Sequence, residues 1–132
     1  MKLKALKPQE TDFEPQTLGE HVKRCRLVRK LTQKQAACLI GVSAWTVLNW
    51  ETGHTEPPIA FLPAILKFLG FDPYPEPKGL SDRLRAKRRV LGWSIKEAAG
   101  HLGVDEATWS AWERGVSVPK GRHMAVLDAL IE

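Results

Sequence analysis

The segment GVSAWTVLNWETG, residues 41–53, returns at 103–115 as GVDEATWSAWERG. The offset of 62 holds without a gap from 17–57 to 79–119. Pairs kept identical include Leu18/Leu80, Arg26/Arg88, Ala36/Ala98, Ala37/Ala99, Gly41/Gly103, Thr46/Thr108, Trp50/Trp112, Glu51/Glu113 and Gly53/Gly115. A repeat of this length is one folding unit written twice. Two copies are too few to stack into a solenoid, so two small domains are expected. The boundaries read as a basic tail over 1–14, a first domain over 15–72, a linker over 73–78 and a second domain over 79–132.

The linker lies in FDPYPEPKG, 71–79. Pro73, Pro75 and Pro77 exclude helix and favour an extended, stiff spacer. At ~3.1 Å per residue it would span about 20 Å, and it is expected to hold the domains apart or at a set angle.

Each unit reads as four short helices without strands. Leu18, Val22, Cys25 and Leu31 line one face at helical spacing. Thr32 and Gln35 then spell a capping box, as do Ser94 and Glu97. The second helix turns Ala36, Ala37 and Ile40 inward and stops at Gly41. Ser43 and Asp105 are the next N-cap candidates, and Gly53 ends the third helix. Pro57 and Pro58 force a turn before a last apolar helix over about 60–69, with Pro63 in its first turn. Its counterpart runs over about 121–131. The fold class is all-α.

The second and third helices are joined by about four residues, 39–42 and 101–104, which is the pattern of a helix-turn-helix. Val47 and Trp50 should face inward, with Trp109 and Trp112 as equivalents. Ser43, Ala44, Trp45, Leu48 and Asn49 then turn outward or partly so, on the face that such a motif lays in the major groove.

Charge agrees with a polyanionic partner. The formal net charge is +5 and the pI about 9.4, a footprint of nucleic-acid binding. Other classes find little support. Cys25 and Cys38 make no disulfide framework and are expected to be free, partly buried thiols. The four histidines have no metal-binding spacing, so no metal or cofactor is expected. There is no catalytic set, and an enzyme is not expected. Without a membrane span or signal peptide, the expected location is the cytoplasm, nucleoid-associated when bound.

Residues 31–53 and 93–115 resemble the helix-turn-helix domains of the Cro/C1-type, or XRE, family. FLPAILKFLG, 61–70, resembles the helix that closes such domains. The resemblance implies two tandem four-helix lambda-repressor-like domains joined by a Pro-rich linker. It implies a sequence-specific regulator of double-stranded operator DNA, expected to be a repressor acting by occlusion. Two ion pairs are implied, Arg26–Glu51 and Arg88–Glu113. So is DNA contact by Gln33, to a phosphate or an adenine edge.

The DNA-binding set expected in the first domain is Gln33, Lys34, Ser43, Ala44, Trp45, Thr46 and Asn49. Ser94, Lys96, Asp105, Glu106, Ala107 and Thr108 form the corresponding DNA or partner face of the second. Ile95 and Ala111 replace Gln33 and Asn49 there. Asp105 and Glu106 repel phosphates, although a carboxylate can accept from cytosine N4. The first domain is therefore expected to carry most base readout. The second would supply phosphate contact through Arg83, Arg85, Lys87 and Arg89, dimer contact, or partner binding. Two other readings stay open: a covalent pseudo-dimer with two unlike half-sites, and an antitoxin-like or adaptor module whose second domain binds a protein.

Trp45 could stack on sugar or a thymine methyl, or pack on Phe13 or a partner chain. An apolar face around Phe68, Leu69 and Phe71 offers a route to a homodimer. Lys2, Lys4 and Lys7 make the tail a solubilising segment or an arm along a groove.

Overall fold

The computed structural model describes residues 13–131. The tail lysines Lys2, Lys4 and Lys7 lie outside the described residues. Among those residues there are eight α-helices and no strand. They are α1 (Leu18–Val28), α2 (Gln33–Ile40), α3 (Ala44–Thr52), α4 (Leu62–Leu69), α5 (Leu80–Leu91), α6 (Ile95–Leu102), α7 (Glu106–Glu113) and α8 (Arg122–Ile131). A 3₁₀ turn, Ile59–Phe61, precedes α4. The chain divides into two compact units between Pro73 and Tyr74. No helix among the described residues is long and apolar enough to cross a membrane.

In the first unit, Val22, Ala36, Ala37, Ile40, Val47, Trp50, Ile65, Phe68 and Leu69 form the core. The second is built on Leu84, Ala98, Ala99, Trp109, Trp112 and Leu127. Six of these positions correspond across the offset, from Val22/Leu84 to Ile65/Leu127. Full burial of each large aliphatic side chain contributes about 1.5–3 kcal/mol. Alanines at 36, 37, 98 and 99 keep the crossings short.

The helix starts follow the caps. Thr32 and Ser94 each accept from the N–H three residues on, while Gln35 and Glu97 accept from the cap's own N–H. Ser43 and Asp105 cap α3 and α7 through Thr46 N and Thr108 N. The connections are three residues, 41–43 and 103–105, rather than four, because α2 and α6 continue through Ile40 and Leu102. Ile40 is buried, and Leu102 packs on the second core, so both gain from staying helical. Gly41 and Gly103 take left-handed φ of 97° and 72° at these turns, a region that other residues enter only at a cost.

Three expectations need revision. The α-helix closing the first unit starts at Leu62 rather than about 60, since Pro63 lacks an N–H and fits only the first turn. Phe68 and Leu69 belong to the core and offer no dimer face; of that trio only Phe71 is open, at 53 % exposure. Cys38 is exposed, while Cys25 is half-buried with its thiol 3.9 Å from the Phe68 carbonyl oxygen.

Two positions differ between the units in backbone terms. Lys30 has φ of 60°, where the second unit has Gly92 at 73°. Gly19 lies so close to α3 that a Cβ there would sit 2.0 Å from the Trp50 carbonyl oxygen. The matching residue, Ser81, carries a Cβ and donates its hydroxyl to the Trp112 carbonyl at 2.9 Å.

Candidate nucleic-acid interface

The candidate face of each unit rests on one buried carboxylate. Glu51, at the end of α3, is 7 % exposed. Arg26 of α1 reaches it with a two-pronged contact, Nε to Oε2 at 2.8 Å and Nη2 to Oε1 at 2.9 Å. Its remaining Nη1 donates to the Leu31 carbonyl at 3.0 Å, so the same side chain ties the α1–α2 turn. In the second unit Arg88 repeats every element: two contacts to Glu113 and a third bond to the Trp93 carbonyl at 3.0 Å. Both pairs are nearly sealed from water, with side-chain exposures of 11 % and 2 % for Arg26 and Glu51. Such pairs fix geometry, and removing one partner strands a buried charge.

Each carboxylate takes a further donor, and here the units part. Glu51 Oε1 accepts from Gln33 Nε2 at 3.1 Å. Glu113 Oε2 accepts from Trp109 Nε1 at 2.5 Å. Position 47 in the first unit is a valine, which has no donor. Position 95 in the second is an isoleucine, which packs against the core. Gln33 is therefore not a solvated glutamine; its amide is anchored from below. Sequence reasoning missed Trp109 in this role. The signal was available as paired differences at 33/95 and 47/109 of the repeat.

The rest of the first face is open. Trp45 is 69 % exposed, and the Lys23 ammonium lies 5.7 Å from the Phe13 ring centroid. Lys34 and Ser43 are exposed, while Ala44, Thr46 and Asn49 are half-buried. The Ser43 hydroxyl is engaged with Thr46 through the cap and a side-chain contact at 2.9 Å. That hydroxyl is thus committed to the start of α3.

On the second face, Lys96, Asp105, Glu106 and Ala107 are exposed, and Ser94 and Thr108 half-buried. Ser94 is committed to its capping box. Asp105 is committed to its cap, and hydrogen bonds from Thr108 hold its carboxyl below the ordinary carboxylate range. Glu106 is left as the free carboxylate at the tip of α7. The three arginines and one lysine expected on phosphates are also reduced. Arg85 donates to the Glu113 carbonyl and to Asp82 Oδ1 at 2.9 Å. Arg89 stacks its guanidinium carbon 3.9 Å from the Tyr74 ring centroid. Internal partners hold both, whereas Arg83 and Lys87 have no such bond among the described residues.

No cluster of His, Cys, Asp and Glu among the described residues is arranged to hold a metal ion. A family model described as "Helix-turn-helix" matches residues 22–74. A second, described as "Helix-turn-helix domain", matches residues 80–132. No curated protein and no solved structure matches the chain.

Proposed function

From a chain that belongs to the helix-turn-helix family, as two Cro/C1-type domains in tandem, we propose a sequence-specific DNA-binding repressor whose first domain carries most of the base readout. Helix-turn-helix domains of this kind make it a DNA-binding regulator; repression and the division of labour are the proposal. The observation that carries it is the contrast at the tips of α3 and α7. The first face presents Gln33, Lys34, Trp45 and Asn49 around a carboxylate that is buried and neutralised by Arg26. Amide side chains suit adenine, and an indole suits a thymine methyl. The second face presents Glu106 and Ala107, with no amide side chain on α6 or α7.

A second reading has its own support: the second domain docks a protein while the first anchors the chain to DNA. Internal engagement of Arg85 and Arg89 and the free carboxylate of Glu106 favour it.

Selection of bound duplexes from a random library, followed by Asn49→Ala and Asp105→Ala/Glu106→Ala on the winner, tests the proposal. Asn49→Ala should weaken binding about 5- to 150-fold with relaxed preference at one position, and the second variant should not lose affinity. Equal, base-specific losses from both would refute the asymmetry. Binding that falls with salt yet shows no preference over random DNA would refute sequence-specific function altogether.

A further inference from the structure

We infer that the Arg26–Glu51 pair is a positioning device for DNA contact: it fixes the Gln33 amide in one orientation before DNA arrives. The inference rests on the reading of the α2–α3 face as the DNA-binding surface. An ionised carboxylate only accepts hydrogen bonds, so only the NH₂ end of Gln33 can face Glu51. With Nε2 3.1 Å from Oε1, the amide cannot be turned end for end without loss of that bond. Its second N–H and its carbonyl have no protein partner among the described residues, and they are what the face offers a ligand. Both arms of Arg26 hold the carboxylate in turn, so the chain of fixed groups runs from α1 through α3 to the first residue of α2. A glutamine ordered during folding loses no rotamer freedom on binding.

The second unit supplies an internal comparison. Its carboxylate has the same arginine, yet its further donor comes from the core through Trp109. The matching position then holds Ile95, which has no hydrogen-bonding group to offer a nucleic acid. A further donor to the carboxylate is present in both units, from the surface in one and from the interior in the other. Only the first arrangement couples the buried pair to the outside.

The chemistry that Gln33 would meet is a hydrogen-bond acceptor on duplex DNA. A phosphate oxygen and adenine N7 both qualify, and adenine N6–H would also satisfy the free carbonyl.

The test is a cycle of DNA affinities on the full chain with the selected duplex. Gln33→Ala and Asn49→Ala are each measured in the native background and in Arg26→Met/Glu51→Leu, where an apolar pair replaces the charges. Gln33→Ala should weaken binding roughly 5- to 150-fold in the native chain and make no measurable difference in the apolar background. Asn49→Ala should lose the same factor in both. If Gln33→Ala costs the same in both, or if both effects vanish together in the apolar background, the pair does not position Gln33. If only Asn49→Ala matters in the native chain, this inference fails and the DNA-binding face stands. If neither matters, the face itself is wrong and the inference falls with it.

Where the apolar background fails to fold, side-chain amide relaxation in the free native protein decides. An order parameter for Gln33 Nε2 near the ~0.85 of rigid backbone supports the device, and one below ~0.6 overturns it. Replacing adenines by 7-deazaadenine and phosphates by methylphosphonate on the duplex distinguishes the base from the backbone as the acceptor.

Discussion

Gly19→Ala should be among the most damaging small substitutions in the first domain. The added Cβ would lie 2.0 Å from the Trp50 carbonyl oxygen and 2.6 Å from its carbon. Both atoms are backbone, so no side chain can rotate aside. Restoring even a 3.0 Å separation requires α1 and α3 to part by about 1 Å. Overpacking of this kind costs about 1–3 kcal/mol, and alanine returns up to ~1 kcal/mol through its better helix propensity. With rigid atoms on both sides the net loss should be about 2 kcal/mol. For a domain of this size that corresponds to roughly 8–16 °C in melting temperature. Calorimetry on the full chain reads it, with the second domain as internal reference. Ser81→Ala should do less, about 1 kcal/mol for one hydrogen bond, because that site already accommodates a Cβ. A first-domain transition that is unchanged or raised by Gly19→Ala would refute the close approach of α1 to α3.

Lys30→Gly should stabilise the first domain by about 1 kcal/mol, read as a higher melting temperature, since lysine holds a left-handed φ of 60° there. Arg88→Met should cost about 3–5 kcal/mol in denaturant titration, by stranding Glu113 in the interior; a loss below ~1 kcal/mol would mark the pair as an ordinary surface contact. Cys38 should be alkylated well before Cys25, because burial raises the Cys25 thiol and lowers its thiolate fraction at a given pH; mass spectrometry of a timed reaction shows the order. The Asp105 cap should weaken in acid. Its folded pKa is depressed, so its contribution is present above the unfolded value of about 3.9 and is lost as pH falls through the folded one. Asp105→Asn should flatten that part of the stability profile.

Much of the fold was legible because its determinants are local. Thr32, Ser43, Ser94 and Asp105 announce helix starts through groups within three residues of themselves. Gly41 and Gly103 mark turns by a conformation that few residues share. The candidate site was less legible because its decisive contacts cross between helices. Gln33 and Glu51 are 18 residues apart in sequence, and Arg85 meets the Glu113 carbonyl 28 residues on. A basic run on α5 reads as a phosphate-binding stripe until the partners of Arg85 and Arg89 are seen. Gly19 gave no sign of its contact, for a glycine near a helix start has many ordinary explanations.

The two carboxylate sites also bear on how the halves can change with time. A glutamine regained at position 95 would meet Glu113 Oε1, the counterpart of the oxygen that Gln33 uses, while Trp109 keeps Oε2. Trp109→Val alone would open a hole in the core and leave the carboxylate a donor short. Ile95→Gln alone would remove an apolar side chain from the core's edge while Glu113 still holds its donors from Arg88 and Trp109. The tryptophan cannot leave without cost before a surface donor takes over, whereas a glutamine can arrive while the tryptophan stays. The route from the second arrangement to the first is thereby ordered: the surface must change before the interior does.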